Sequence, residues 1–173
     1  MVKKIAFIHP LYGGLVISGP NYGGLSRQRH ATDDEFCEHI AQRNLRNAYH
    51  QKHGVYPDSP FVAGVDYHII EEEEIPDELF HSAWEWVDGI VTNMPKARVI
   101  HMDRIRVVRD AELIVKDVTF MRAVEAGDTD AQARIATEKQ VLRDIPATFD
   151  ITTGVTTPEL LHAKWPTELP ARE

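Results

Sequence analysis

Histidine is the residue type with chemical potential that stands out: nine are present, seven of them at or before position 81. The nearest approach to metal-ligand spacing is His50-x-x-His53, with His39 upstream. Zinc enzymes set two histidines on one helical face beside a positioned carboxylate. Here Gly54 directly follows His53, so the pair falls where a helix ends and reads as surface histidines. There is no HExxH, and a single cysteine cannot supply a zinc-finger ligand set. Cys37 stands two positions before His39 in a predicted helix, so the two side chains leave on different faces and do not readily share a proton. It reads as a small semi-buried residue. Gly19 to Gly24 has the glycine content of a phosphate-cradling loop, but no Gly-Lys-Ser/Thr follows, and a turn is the better reading. Glu71 to Glu74 lack the alternating ligands and central glycine of a Ca²⁺ loop. They read as a solvated, self-repelling connector. No catalytic residue, metal or cofactor is expected.

Two further groups suit binding. Lys96, Arg98, Arg104, Arg106 and Arg109 against Asp103 make residues 96–109 locally basic, with a net charge of +4. No aromatic or amide side chains are interleaved as base stacking or groove reading requires, so nucleic acid is disfavoured, and the segment is expected to complement the acidic N-terminal part or an acidic partner surface. Trp84 and Trp86, two residues apart, cannot share a helical face. One is expected in the core and the other at an interface, unless both enter one local core.

The elements that must carry these groups follow from local pattern. Ile5 to Ile8 and Leu15 to Ile17 predict a β-hairpin turning at Gly13-Gly14. Thr32 with Glu35 has the form of a capping box, opening a helix to about His50 that presents Phe36, Ile40 and Tyr49. A strand is expected within 62–70, then a short helix carrying Leu79, Phe80 and Trp84, then a turn at Asp88-Gly89. From Asn93 a long helix is predicted over 93–126, with Val107, Ala111, Ile114, Val118 and Met121 forming one apolar stripe. A second helix follows over 129–144, closed by Pro146, with Ala133, Ala136, Gln140 and Leu142 toward its contact side. Thr157-Pro158-Glu159 opens a last short helix over 157–164, and the tail from Pro166 is expected to be loose. If the stripe is buried, Ile114→Asp should cost several kcal/mol.

The expected fold is therefore α+β: a small β-rich N-terminal part with one helix over 1–92, then a helical arm over 93–173. The 173 residues carry 43% hydrophobic side chains and a net charge of −8, which permits a core and disfavours binding to nucleic acid by overall charge. That charge is uneven. Residues 1–92 hold 7 basic and 14 acidic groups, a net of −7, whereas the remainder holds 12 and 13, a net of −1. One cysteine excludes an intramolecular disulfide framework. No apolar run approaches the length that crosses a bilayer, and His9-Pro10 cuts the opening apolar stretch short of a signal peptide. The expectation is a soluble chain made in a cytoplasm, without a membrane.

Several segments together resemble a known family. These are Phe120 to Asp128, then Ile135 to Pro146 with Leu142-Arg143-Asp144-Ile145-Pro146, then Thr157-Pro158-Glu159-Leu160-Leu161 with Trp165-Pro166. Upstream stand Ile75-Pro76-Asp77, Ala83-Trp84-Glu85-Trp86, Asp88-Gly89 and Asn93-Met94. Over residues 75–166 the chain resembles the tail fibre assembly proteins, or tail assembly chaperones, of tailed bacteriophages. The resemblance implies a non-catalytic protein in the cytoplasm of the infected bacterium or in the finished tail. Its partner would be a tail or tail fibre protein that it helps to fold or attach, and self-association stays open. Partner-binding candidates are Trp84, Trp86, Lys96, Arg98, Arg104, Arg106, Ile114, Val118 and Met121. Two alternatives stand beside this: a phage regulatory or anti-defence protein that binds nucleic acid or a host protein, and a small metal-dependent hydrolase using the N-terminal histidines.

Overall fold

The computed structural model describes residues 2–24 and 26–172, and the fold is α+β. The chain divides into two compact units, Met1–Thr92 and Asn93–Glu173.

In the first unit β1 (Lys3–Ile8) is the centre of a three-stranded antiparallel sheet, flanked by β2 (Leu15–Ser18) and β3 (Tyr67–Glu71). Ile5 stands opposite Ser18 and Ile69, and Phe7 opposite Val16 and Tyr67. Helix α1 (Asp33–His53) covers one face and closes a core of Ile5, Phe7, Phe36, Cys37, Ile40, Ala41, Leu45 and Tyr67. Its ends are set by local chemistry. Thr32 accepts the Glu35 N–H at 3.1 Å, the Glu35 carboxylate accepts the Ala31 N–H at 2.8 Å, and Gly54 ends the helix at φ 75°.

The strand expected within 62–70 forms only from Tyr67. The glutamates after it are not a free connector: Glu71 and Glu72 pair with Lys3 and Lys4 of β1 at 3.7 and 3.1 Å, and Glu72–Glu74 make a 3₁₀ turn. The two lysines of β1 thus offset the charge of Glu71 and Glu72, Glu74 folds back to accept the Glu71 N–H at 2.6 Å, and residues 72–74 are exposed as expected. A second 3₁₀ segment, Glu78–Ala83, leads into the hairpin of β4 (Trp84–Trp86) and β5 (Ile90–Thr92). Trp84 thus lies in a strand rather than in the expected short helix, where it pairs with Thr92.

The second unit is a helical hairpin, α2 (Met94–Glu125) and α3 (Thr129–Thr148), followed by α4 (Pro158–Ala163). Asn93, Asp128 and Thr157 each cap the helix that follows by accepting the N–H three residues on. Gly127 turns the chain at φ 68°. Met102, Ile105, Leu142, Ile145 and Leu169 form the core, with Val108, Leu113, Phe149, Ile151 and Trp165 packed against it.

Three expectations for this unit are corrected. Helix α3 does not stop at Asp144 but runs through Pro146 to Thr148. Proline removes one intrahelical donor, yet the turn is retained because Ile145 is buried in the core and the Phe149 N–H still reaches the Ile145 carbonyl at 2.9 Å. The contact side of α3 is Ile135, Leu142 and Ile145, whereas Ala133, Ala136 and Gln140 are exposed, because the larger aliphatic groups bury more area against α2. The tail is not loose: Pro166 and Leu169 are buried, and the Trp165 indole N–H donates to the Pro170 carbonyl at 2.9 Å.

Candidate docking face

At about 100° per residue, Val107, Ile114, Val118 and Met121 fall within roughly 60° of one another on α2, opposite Ile105 and Ala123. Ile105 and Ala123 are the buried side. The stripe read from the sequence is the other side: Val107 is 70% exposed, Ile114 65%, Met121 56% and Val118 49%. Helix α2 therefore has two apolar faces. One is consumed by α3, α4 and the tail, and the other is solvent-exposed within this unit. Scattered exposed aliphatics are ordinary, but a contiguous row at helical spacing is a feature of interaction surfaces.

Ion pairs bridge the two helices of the hairpin beside the core that buries the other face of α2. Lys116 reaches Glu138 at 2.6 Å, and Lys139 pairs with Asp117. The Lys116 hydrogen bond holds the Glu138 carboxyl below its ordinary value. A hollow of about 450 Å³ opens beside this pair, with Leu142 and Leu169 in its lining.

The basic candidates do not form a free cationic patch. Arg98 donates to the Val155 carbonyl at 3.0 Å and serves the packing of the unit. Arg106 pairs with Asp103 at 2.7 Å and Arg109 with Asp110 at 2.6 Å. Lys96 and Arg104 are exposed. Basic and acidic groups thus alternate along the outer surface, a pattern suited to protein rather than to polyphosphate.

Trp84 and Trp86 lie two apart in a strand, where alternate residues share a side. The two indoles therefore leave the same side of the β4–β5 hairpin. Trp84 is buried, and Trp86 is half-buried, stacked on His68 with ring centroids 3.7 Å apart and planes at 10°. Burial lowers the pKa of His68, so the stack is between neutral rings at pH 7. The pair belongs to the first unit and the α2 stripe to the second.

The cysteine and the histidines of the first unit make packing contacts. Cys37 is buried, its Sγ lies 3.3 Å from the Tyr22 hydroxyl, and burial pushes the thiol up. His39 packs against His30, and His50 stacks on Tyr56, so the histidines suspected of ligation point to separate aromatic contacts. No group of three His, Cys, Asp or Glu side chains able to hold a metal occurs among the described residues.

One polar residue escaped the sequence reading. His101 is fully buried in the second unit, its Nε2 donating to the Lys164 carbonyl at 2.7 Å and its ring edge-on to Trp165 at 6.1 Å. Burial holds its pKa below the ordinary value. The available signal was its spacing of four from Ile105, which puts it on the buried face.

Comparison of the chain with protein-family models, with curated proteins and with solved structures gave no match in any of the three.

Proposed function

We propose that this chain is a non-catalytic accessory protein of tailed-bacteriophage tails, which binds a tail or tail fibre protein and helps it fold or attach. The phage setting is supported by the resemblance over residues 75–166. The binding role is supported by one structural observation above others, the exposed row of Val107, Ile114, Val118 and Met121 on a helix whose opposite face already holds a core. Aliphatic groups at about half exposure or more cost solvation free energy that a partner would recover on docking. The buried thiol and the dispersed histidines support binding over chemistry.

The test is co-expression of a phage tail fibre protein with and without this chain. The expected outcome is that soluble trimeric fibre rises when the chain is present. Unchanged fibre yield and trimer content would remove the proposal. Mass spectrometry of purified virions then separates a chaperone, absent from the particle, from a component built into the tail.

A further inference from the structure

The outer face of α2 carries more than hydrophobicity. Ile100, Val107, Ile114 and Met121 recur every seven residues, and Ala111 and Val118 stand four after Val107 and Ile114. From Val107 to Met121 the apolar steps alternate four and three over two heptads, and Ile100 continues the row beyond Arg104; this is the a/d pattern of a coiled-coil seam, not the broader stripe of a helix packed on a general core. Beside this seam Asp103, Asp110 and Asp117 also recur every seven residues, with side chains 59%, 60% and 58% exposed. Their present partners are Arg106, Arg109 and Lys139, each engaging Oδ1. Arg109 and Lys139 are largely covered, at 18% and 15% side-chain exposure, while the three carboxylates stay mostly exposed, so a cation of a partner helix can join each pair without displacing it.

We infer that this face is a seat for one α-helix of a partner protein, with apolar a and d positions and a flanking row of Lys or Arg that meets Asp103, Asp110 and Asp117. This rests on the protein-binding role proposed above and adds the chemistry of the partner segment. Flanking charges in coiled coils set the choice and orientation of partners. That rule also argues against a second copy of this chain. An antiparallel pair sets the aspartate flank of one copy against the same flank of the other. A parallel pair sets Arg104, at a seam position, against its own counterpart. A basic-flanked helix avoids the aspartate conflict and sets no second arginine against Arg104, and its apolar seam covers Val107, Ile114, Val118 and Met121.

The experiment uses the full chain and two synthetic peptides of about four heptads with Leu and Ile at a and d. One carries Lys at the flanking positions and the other Glu, and binding is read by fluorescence anisotropy. The Lys peptide should bind at least about tenfold more tightly than the Glu peptide, and the ratio should narrow as salt rises. The ratio should also collapse when Asp103, Asp110 and Asp117 are all replaced by Asn. Ile114→Asp, with circular dichroism confirming an unchanged fold, should abolish binding of both peptides. Equal affinity for the two peptides, or no binding of either, overturns the inference. So does sedimentation showing a dimer of the free chain that Ile114→Asp dissolves, which would assign the seam to a second copy. Failure here alongside a fibre that still depends on the chain for solubility leaves the assembly role standing and removes only the helical seat. A selective Lys peptide with an indifferent fibre does the reverse.

Discussion

The Nε2 of His101, in the first third of α2, donates to the backbone carbonyl of Lys164 at 2.7 Å, joining the hairpin to the chain that leaves α4. A carbonyl can only accept, so the ring is held with its proton on Nε2. This bond, the Trp165 indole and the buried Leu169 make the tail part of the core of its unit.

Acid should loosen that unit. Burial lowers the folded-state pKa of His101 below the ordinary 6.5. Above that value the ring is neutral in both folded and unfolded chains. As pH falls below it the unfolded chain takes up a proton that the folded one refuses, so stability declines toward the depressed folded pKa. The His101 ring resonances should titrate with a midpoint below 6.5, and the melting temperature should fall from about pH 6.5 downward less steeply in His101→Gln than in wild type. A midpoint at or above 6.5 would contradict this. His68 is shifted the same way, so its own resonances serve as an internal comparison.

The two faces of α2 should respond oppositely to mutation. Ile105 is fully buried, and Ile105→Ala should cost about 2–5 kcal/mol. Ile114 is mostly exposed, and Ile114→Asp should change stability by no more than about 0.5 kcal/mol, not the several expected for a buried stripe. Urea denaturation of both variants decides the matter, and a large loss at Ile114 would mean that the exposed face is covered.

The hairpin turn depends on Gly127, whose φ of 68° L side chains rarely adopt. Nothing lies within 4 Å of an added Cβ there, so Gly127→Ala should cost about 1–2 kcal/mol from backbone strain alone. An Ala126→Gly control, at a position with ordinary helical φ, should not reproduce it.

The buried thiol gives an independent reading of the first unit. Cys37 is fully enclosed and its pKa is raised chiefly by burial. Ellman's reagent at pH 8 should therefore label the native chain only as fast as the unit opens, and should label the guanidinium-unfolded chain at once. Rapid labelling without denaturant would show that the α1 packing is looser than described.

What the residues decided alone is what depends on neighbours three or four positions away. Thr32, Asn93, Asp128 and Thr157 start helices because an oxygen accepts an N–H within the same turn, and Gly54 and Gly127 end them because they lack a Cβ. The α+β order and the hairpin followed from such signals and from apolar period. Tertiary structure decided which apolar face of α2 is inside. The stripe at Val107, Ile114, Val118 and Met121 has the cleaner period, yet Met102 and Ile105 are buried, because Leu142, Ile145 and Leu169 arrive from up to 67 residues downstream to cover them. The same distance effect carries α3 through Pro146, packs the tail and encloses His101. Periodicity counts spacing along one helix, whereas burial depends on the surface that other segments bring to it.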